Sequence, residues 1–221
     1  MSTLVKVCGI TRPEDVRLAL DLGADYLGLI VYRKSPRAVP EKRIPQLLEL
    51  IPEGKRVLVD VATPPAQLER YQSFGFDHFQ IHFDLDIALA EIAAWSEIAG
   101  PRGFWAAPRI PDLEAGFPQV VLEFADTILL DAYSKSAYGG TGQAGANWQR
   151  FLDYSVLFQH KRWILAGGLS PENVSEALRF TQAATIDVNS GVEAAPGIKD
   201  RQKLESLFAR VSRYDRERSD S

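Results

Sequence analysis

Apolar residues in this chain fall into two alternating patterns. Short runs such as Tyr26-Leu27-Gly28-Leu29-Ile30-Val31 and Trp163-Ile164-Leu165-Ala166 are apolar at nearly every position, as strands buried on both faces must be. Between such runs lie longer stretches whose apolar residues recur every three or four positions, the spacing of an amphipathic helix. The pattern predicts strands at Leu4–Cys8, Tyr26–Val31, Arg56–Val61, His78–His82, Gly103–Pro108, Ala125–Asp131, Arg162–Ala166 and Thr185–Val188. It predicts helices at Pro13–Leu22, Pro40–Ile51, Pro64–Phe74, Ile87–Ile98, Gln119–Glu123, Asn147–Tyr154, Pro171–Phe180 and Lys199–Val211. Several begin at proline, where the missing N–H costs nothing.

Regular strand–helix alternation implies right-handed crossovers and a parallel sheet. Eight such units in 221 residues fit a closed (β/α)8 barrel of the α/β class better than an open sheet. No linker-like run divides the chain, so residues 1–212 read as a single barrel domain. The charged stretch 213–221, Arg213-Tyr214-Asp215-Arg216-Glu217-Arg218-Ser219-Asp220-Ser221, reads as a frayed tail.

Bulk composition narrows the function classes. A net charge of −4 with interleaved acids and bases argues against a general nucleic-acid surface. It leaves room for a small anionic ligand, which needs only a local cluster of donors. No stretch approaches the roughly 18 apolar residues of a membrane span. The N-terminus runs directly into the first strand without a targeting segment, so a cytoplasmic location is the expectation. One cysteine excludes an internal disulfide or a multi-cysteine metal site, and no His, Asp or Glu spacing suggests a metal.

That cysteine, Cys8, ends the first strand, on the edge where parallel barrels carry out chemistry. It is either a catalytic thiol or a small core hydrophobe. Asp131 closes the apolar run of strand six and is either an acid–base group or a cap on the loop that follows. Arg37 follows Ser35-Pro36 in the loop after strand two. It is either a solvated charge or a two-pronged grip on a carboxylate. His82 ends strand four and is read in a supporting role, whereas His78 and His160 read as packing or surface residues.

Glycine-rich turns follow the last three strands: Gly139-Gly140-Thr141-Gly142, Gly167-Gly168 and Ser190-Gly191. Glycine lets backbone N–H groups turn toward an anion, and barrel phosphate sites commonly lie after strands seven and eight. Gly140, Gly142, Gly167, Gly168, Ser190 and Gly191 are therefore expected around a phosphate, with a short helix starting near Ser190. Such loops also need glycine for turning alone. Period-two alternation puts Lys6 on the inward face with Cys8, and a lysine inside a barrel needs a partner. Closure brings strand eight beside strand one, which makes Asp187 the expected partner and Lys6 an expected aid to a Cys8 thiolate.

Taken together, Val5-Lys6-Val7-Cys8-Gly9-Ile10-Thr11, Ser35-Pro36-Arg37, Gln80-Ile81-His82, Gly139-Gly140-Thr141-Gly142, Leu165-Ala166-Gly167-Gly168-Leu169 with Asn173-Val174, and Asp187-Val188-Asn189-Ser190-Gly191-Val192-Glu193 with Pro196-Gly197 and Lys199-Asp200 resemble the motif set of the phosphoribosylanthranilate isomerase family. The resemblance implies a (β/α)8 barrel that converts N-(5-phosphoribosyl)anthranilate to 1-(2-carboxyphenylamino)-1-deoxyribulose 5-phosphate by an Amadori rearrangement in tryptophan biosynthesis, without a cofactor. It implies Cys8 as general base, Asp131 as general acid and Arg37 on the anthranilate carboxylate. It further implies a small-molecule partner only, with neither nucleic acid nor membrane, and a monomer or weak homodimer. Three places depart from the family pattern: Phe83, Asp60 and Asn147. The rival readings are a phosphosugar isomerase of histidine biosynthesis, whose family uses carboxylates at both catalytic positions, and a non-catalytic phosphate-binding barrel.

Overall fold

The computed structural model describes residues 2–110, 116–131 and 144–220, apart from the side chains of 144–147. Eight parallel strands close into a barrel in chain order: β1 (Leu4–Cys8), β2 (Tyr26–Ile30), β3 (Arg56–Val61), β4 (His78–Asp84), β5 (Phe104–Arg109), β6 (Thr127–Leu130), β7 (Arg162–Leu165) and β8 (Thr185–Val188). The helices α1 (Pro13–Asp21), α2 (Ile44–Leu48), α3 (Pro65–Gln72), α4 (Leu89–Ala99), α5 (Ala144–Leu157), α6 (Val174–Thr181) and α7 (Arg201–Ser219) alternate with them. Between β5 and β6 the described residues form a 3₁₀ turn, Gln119–Glu123.

Two apolar layers follow from the strand alternation. Outward residues such as Val5, Val7, Leu27, Leu29, Leu58, Ile81 and Phe83 pack beneath the helices. Inward residues Ile30, Val57, Val59, Trp105, Ala107, Leu129, Ile164 and Ala166 fill the barrel together with Cys8. Toward the N-terminal end, His78 stacks on Trp105 with ring centroids 4.7 Å apart, and Tyr26 meets both edge-on. His78 is thus a packing residue. At that end Asp25 accepts from the Val5 N–H and Asp77 from the Arg56 N–H, each carboxylate pinning the start of a neighbouring strand.

Two expectations need correction. The second helix is interrupted: a 3₁₀ turn, Glu41–Arg43, precedes α2, because Pro45 has no N–H to continue one helix. Residues 213–219 belong to α7 and are not frayed. Leu204, Leu207, Phe208, Val211 and Tyr214 form one buried stripe, and Tyr214 extends it past the expected end at Val211. Asp215 accepts from both the backbone N–H (2.9 Å) and the hydroxyl (2.7 Å) of Thr3. This ties the last helix to the start of the first strand.

Candidate functional site

At the C-terminal mouth of the barrel lies a cavity of about 340 Å³ whose lining includes Cys8, Arg37, Asp131, Gly167, Gly168 and Ser190. Ile30, Val59 and Ala166 supply apolar wall, while Gln80, His82, Asp187 and Asn189 supply polar groups. Gly140 and Gly142 lie outside the described residues, as does the side chain of Asn147.

Cys8 and Lys6 both point inward from β1. The strand pairing sets Lys6 opposite Asp187, and Lys6 Nζ donates to Asp187 Oδ1 at 2.8 Å, the lysine being fully buried. Across the other edge Cys8 pairs with Gly28. A Cβ at Gly28 would lie 3.0 Å from Cys8 Sγ and 3.1 Å from Lys6 Nζ, so the glycine leaves room for thiol and ammonium side by side. Burial pushes the Lys6 ammonium toward its neutral form, but Asp187 and Cys8 outweigh that and hold its pKa above the usual value. Burial pushes the Asp187 carboxyl up, against the pull of Lys6.

The expected promotion of a thiolate by Lys6 is only part of the balance. Burial raises the Cys8 pKa, Lys6 and Lys199 lower it, Asp187 adds to the rise, and the net direction is upward. A single ion pair beside the sulfur is nearly neutral as a unit, so it offsets desolvation only in part. The resting group is therefore a thiol.

His82 lines the cavity, half-buried, and burial first, then the Lys6 charge, lower its pKa to about 4. Its ring is neutral near pH 7. Gln80 Nε2 lies 2.8 Å from His82 Nε2, leaving the buried Gln80 Oε1 without a partner among the described residues. Such an orphaned acceptor in a cavity wall calls for a donor from a bound molecule or water. Gln80 appears in the sequence only inside a motif, with no signal of its own beyond being polar on an inward position.

The loop carrying Arg37 is a tight turn: Arg37 N–H donates to Ser35 Oγ and Ser35 N–H to the Tyr32 carbonyl. The guanidinium is not a free surface charge. Its Nε and Nη2 donate to the Glu193 carboxylate, with the Nη2–Oε2 distance 2.7 Å. Glu193 and its other partner, Lys199, were not among the site candidates read from the sequence.

The turns after β7 and β8 lie against each other. Gly167 and Gly168 have φ of 91° and 65°, which only glycine adopts without strain. Asn173 braces their loop, donating to the Gly168 carbonyl and accepting from the Ser170 N–H. A Cβ on Gly191 would come within 2.1 Å of the Leu169 carbonyl oxygen, so close loop packing demands glycine there. Gly191 is not part of the cavity wall, whereas Ser190 is. The short helix expected at Ser190 is one 3₁₀ turn, Ser190–Val192. Two short antiparallel strands follow, β9 (Glu193–Ala195) and β10 (Ile198–Lys199).

Of the departures from the family pattern, Phe83 faces away from the cavity, packed on Trp95 with ring centroids 5.5 Å apart. Asp60 is at the cavity wall. It accepts from Thr63 Oγ1 and the Val61 N–H, and burial raises its pKa despite both bonds.

Gly9 joins three of these loops. Its φ is +72°, and a Cβ there would lie 2.6 Å from Asn189 Oδ1 and 2.9 Å from Arg37 Cδ. Gly9→Ala should cost about 1–2 kcal/mol of stability for the left-handed backbone alone. It should also shift Asn189 and Arg37 at the mouth of the cavity. Urea unfolding together with a crystal structure of the variant measures both effects, and a variant with neither would mean that these loops do not depend on the close approach.

Among the described residues no helix is long and apolar enough to cross a membrane. No group of three or more His, Cys, Asp or Glu side chains there could hold a metal.

A closed parallel barrel and a small-molecule cavity at the carboxyl ends of the strands together define a (β/α)8-barrel protein with its candidate site on the face where such barrels carry out chemistry. The sequence narrows this further. The family model for N-(5'-phosphoribosyl)anthranilate isomerase matches residues 5–210, and the chain belongs to that family. Its relative in Aquifex aeolicus, an N-(5'-phosphoribosyl)anthranilate isomerase, is 36% identical over 210 residues, covering 94% of this chain and 97% of the relative. The phosphoribosyl anthranilate isomerase structure from Thermotoga maritima superposes with a TM-score of 0.79 at 28% identity, covering 95% of this chain and 98% of that one. Another solved phosphoribosyl anthranilate isomerase, in complex with reduced 1-(o-carboxyphenylamino)-1-deoxyribulose 5-phosphate, has a TM-score of 0.72 at 25% identity, covering 95% of this chain and 98% of its own.

Proposed function

We propose that this chain isomerises N-(5-phosphoribosyl)anthranilate to 1-(2-carboxyphenylamino)-1-deoxyribulose 5-phosphate, with Cys8 as general base and Asp131 as general acid. It is an aldose–ketose isomerase of tryptophan biosynthesis. The observation that carries the assignment of roles is that Cys8, Asp131, Arg37 and the Gly167-Gly168 and Ser190 turns border one cavity. These residues come from five separate places along the chain. Their meeting in one place is what a substrate with a carboxylate at one end and a phosphate at the other requires.

The chemistry follows in order. Asp131, in its acid form, gives a proton to the ribose ring oxygen as the C1–O bond breaks. The nitrogen lone pair moves in to form an iminium, which acidifies the hydrogen on C2. Cys8, as thiolate, removes that proton, and the electrons flow back to nitrogen through an enolamine. Tautomerisation of the enolamine yields the ketone. No electron leaves the substrate, so the step needs no redox partner. Strands β1 and β6 lie across the barrel from each other in the closed order, which supports attack on the ribose from opposite sides.

The flanking groups hold the substrate. Backbone N–H groups of the Gly167-Gly168 and Ser190-Gly191 turns converge on the phosphate, with Gly140 and Gly142 as further candidates. Gln80 Oε1 accepts from a ribose hydroxyl, and neutral His82 supports it. Apolar Ile30 and Val59 lie against the anthranilate ring, and Arg37 grips its carboxylate.

Arg37→Ala should cost about 1.5–3 kcal/mol, the range for a hydrogen bond to a charged group. The loss should fall mainly on KM if the grip is equal in ground and transition states. Steady-state kinetics with the natural substrate tests this. Unchanged KM and kcat would return Arg37 to a structural role, while a complete absence of isomerase activity in the wild-type chain would overturn the function itself.

A further inference from the structure

Glu193 carries no role in the chemistry above, yet it is the most heavily bonded carboxylate at the mouth of the barrel. It is 6% exposed. Its Oε1 accepts from Arg37 Nε (3.0 Å), Lys199 Nζ (3.1 Å) and the Gly197 N–H (3.0 Å). Its Oε2 accepts from Arg37 Nε (3.0 Å) and Nη2 (2.7 Å). Lys199, also buried, donates in turn to Asn189 Oδ1 at 3.1 Å. Thr11 closes the far side by donating to the Gly197 carbonyl at 2.5 Å.

We propose that Glu193 is a positioning residue that clamps the Nε–Nη2 edge of Arg37, leaves its Nη1 end for the substrate, and so sets the preference for a carboxylated ring. This rests on the reading that Arg37 grips the anthranilate carboxylate.

Three observations carry it. First, a guanidinium has two edges able to hold a carboxylate in parallel, and Glu193 occupies one of them. Among the described residues nothing accepts from Nη1. An incoming carboxylate therefore finds one orientation instead of two. Second, the charges are unequal. Two cations face one carboxylate, so a net positive charge remains for an anionic ligand, and Arg37 is held without being neutralised. Burial pushes Glu193 up, but the bonds from Arg37, Lys199 and Gly197 outweigh it and hold the carboxyl below its usual range, so the clamp stays ionised. Third, Glu193 directly follows the Ser190–Val192 turn. The residue that orients the carboxylate grip is thereby in rigid connection with the turn assigned to the phosphate. A fixed distance between the two grips favours a ligand with both ends charged, since preorganised groups lose less freedom on binding.

The test uses two inhibitors: reduced 1-(o-carboxyphenylamino)-1-deoxyribulose 5-phosphate and the same compound without the ring carboxylate. Inhibition constants are measured for wild type, Arg37→Ala, Glu193→Gln and the double variant. Wild type should prefer the carboxylated compound about 10- to 100-fold, the range of a charged hydrogen bond. Arg37→Ala should abolish that preference. Glu193→Gln should shrink it roughly tenfold while leaving affinity for the carboxyl-free compound little changed, and the double variant should match Arg37→Ala. Arg37→Ala losing the preference while Glu193→Gln keeps it would sink the clamp and spare the grip. Arg37→Ala keeping the preference would sink the grip itself. Equal loss of affinity for both compounds in Glu193→Gln would mean a merely structural role. If Glu193→Gln fails to fold because Lys199 loses its counter-charge, Glu193→Asp keeps that charge and withdraws the carboxylate by one methylene. It should show the same selective loss.

Discussion

Cys8→Ala is expected to lower kcat by about 10²-fold or more, the lower end for a positioned acid or base, while leaving the barrel folded. The thiol occupies an inward position beside Gly28 and Lys6, and alanine removes a single sulfur without adding bulk. Substrate should still bind, because the proposed carboxylate and phosphate grips lie on other residues. Cys8→Ser should also be poor. A hydroxyl is a far weaker base than a thiolate near neutral pH, and the Lys6–Asp187 pair offers no strong base to activate it. The pH dependence has a definite sign. Burial raises the Cys8 pKa, so thiolate is the minority form at neutral pH and kcat/KM should climb as pH rises from the acid side. It should fall again where the acid form required of the partner is lost. The two limbs belong to the coupled pair and not to either residue alone. Stopped-assay turnover of phosphoribosylanthranilate decides the matter, and near wild-type kcat in Cys8→Ala would leave the cysteine a packing residue.

Asp131→Asn should produce a loss of the same order, about 10²-fold or more in kcat, for the complementary reason. An amide keeps the shape and a donor N–H but cannot release a proton to the ring oxygen as the C1–O bond breaks. KM should change little. The two single losses should not add in the double variant, since acid and base act in one sequence and removing either stalls it. A strictly additive double variant, or an Asp131→Asn enzyme with wild-type kcat, would require a different proton donor.

Much of the architecture was legible from periodicity. Strands β1, β3 and β8 have the expected bounds, because each is a short apolar run interrupted only by one inward or mouth-facing charge, Lys6, Asp60 or Asp187, and such runs stand out from the helical spacing on either side. The helices were less sharply bounded. Pro45 splits the second, and Asn173 holds the loop before α6 so that the helix begins at Val174. The last helix outran its expectation because a charged stretch reads as solvated until Tyr214 and Asp215 are seen to be anchored on the body of the barrel.

Alternation along β1 and the closure of the barrel sufficed to bring Lys6 to Asp187, since each is a matter of register. Cys8, at the end of β1, and Asp131 and the glycine turns, just past strand ends, were visible by their place at the carboxyl edge. What the linear pattern could not decide was which long-range side chains meet once the loops fold over the mouth. Arg37 and Glu193 are separated by 156 positions, and nothing in either local stretch records that one holds the other. Nor could composition tell whether Lys6 or desolvation governs the thiol beside it. That balance depends on how much water the closed barrel excludes, and on an aspartate that cancels part of the lysine's field. The chain alone determined the alternating strands and helices, because hydrophobic period is a local property. Only the tertiary structure decided the protonation state of Cys8 and the orientation of Arg37, because both arise from charges brought together across the barrel in a space with little solvent.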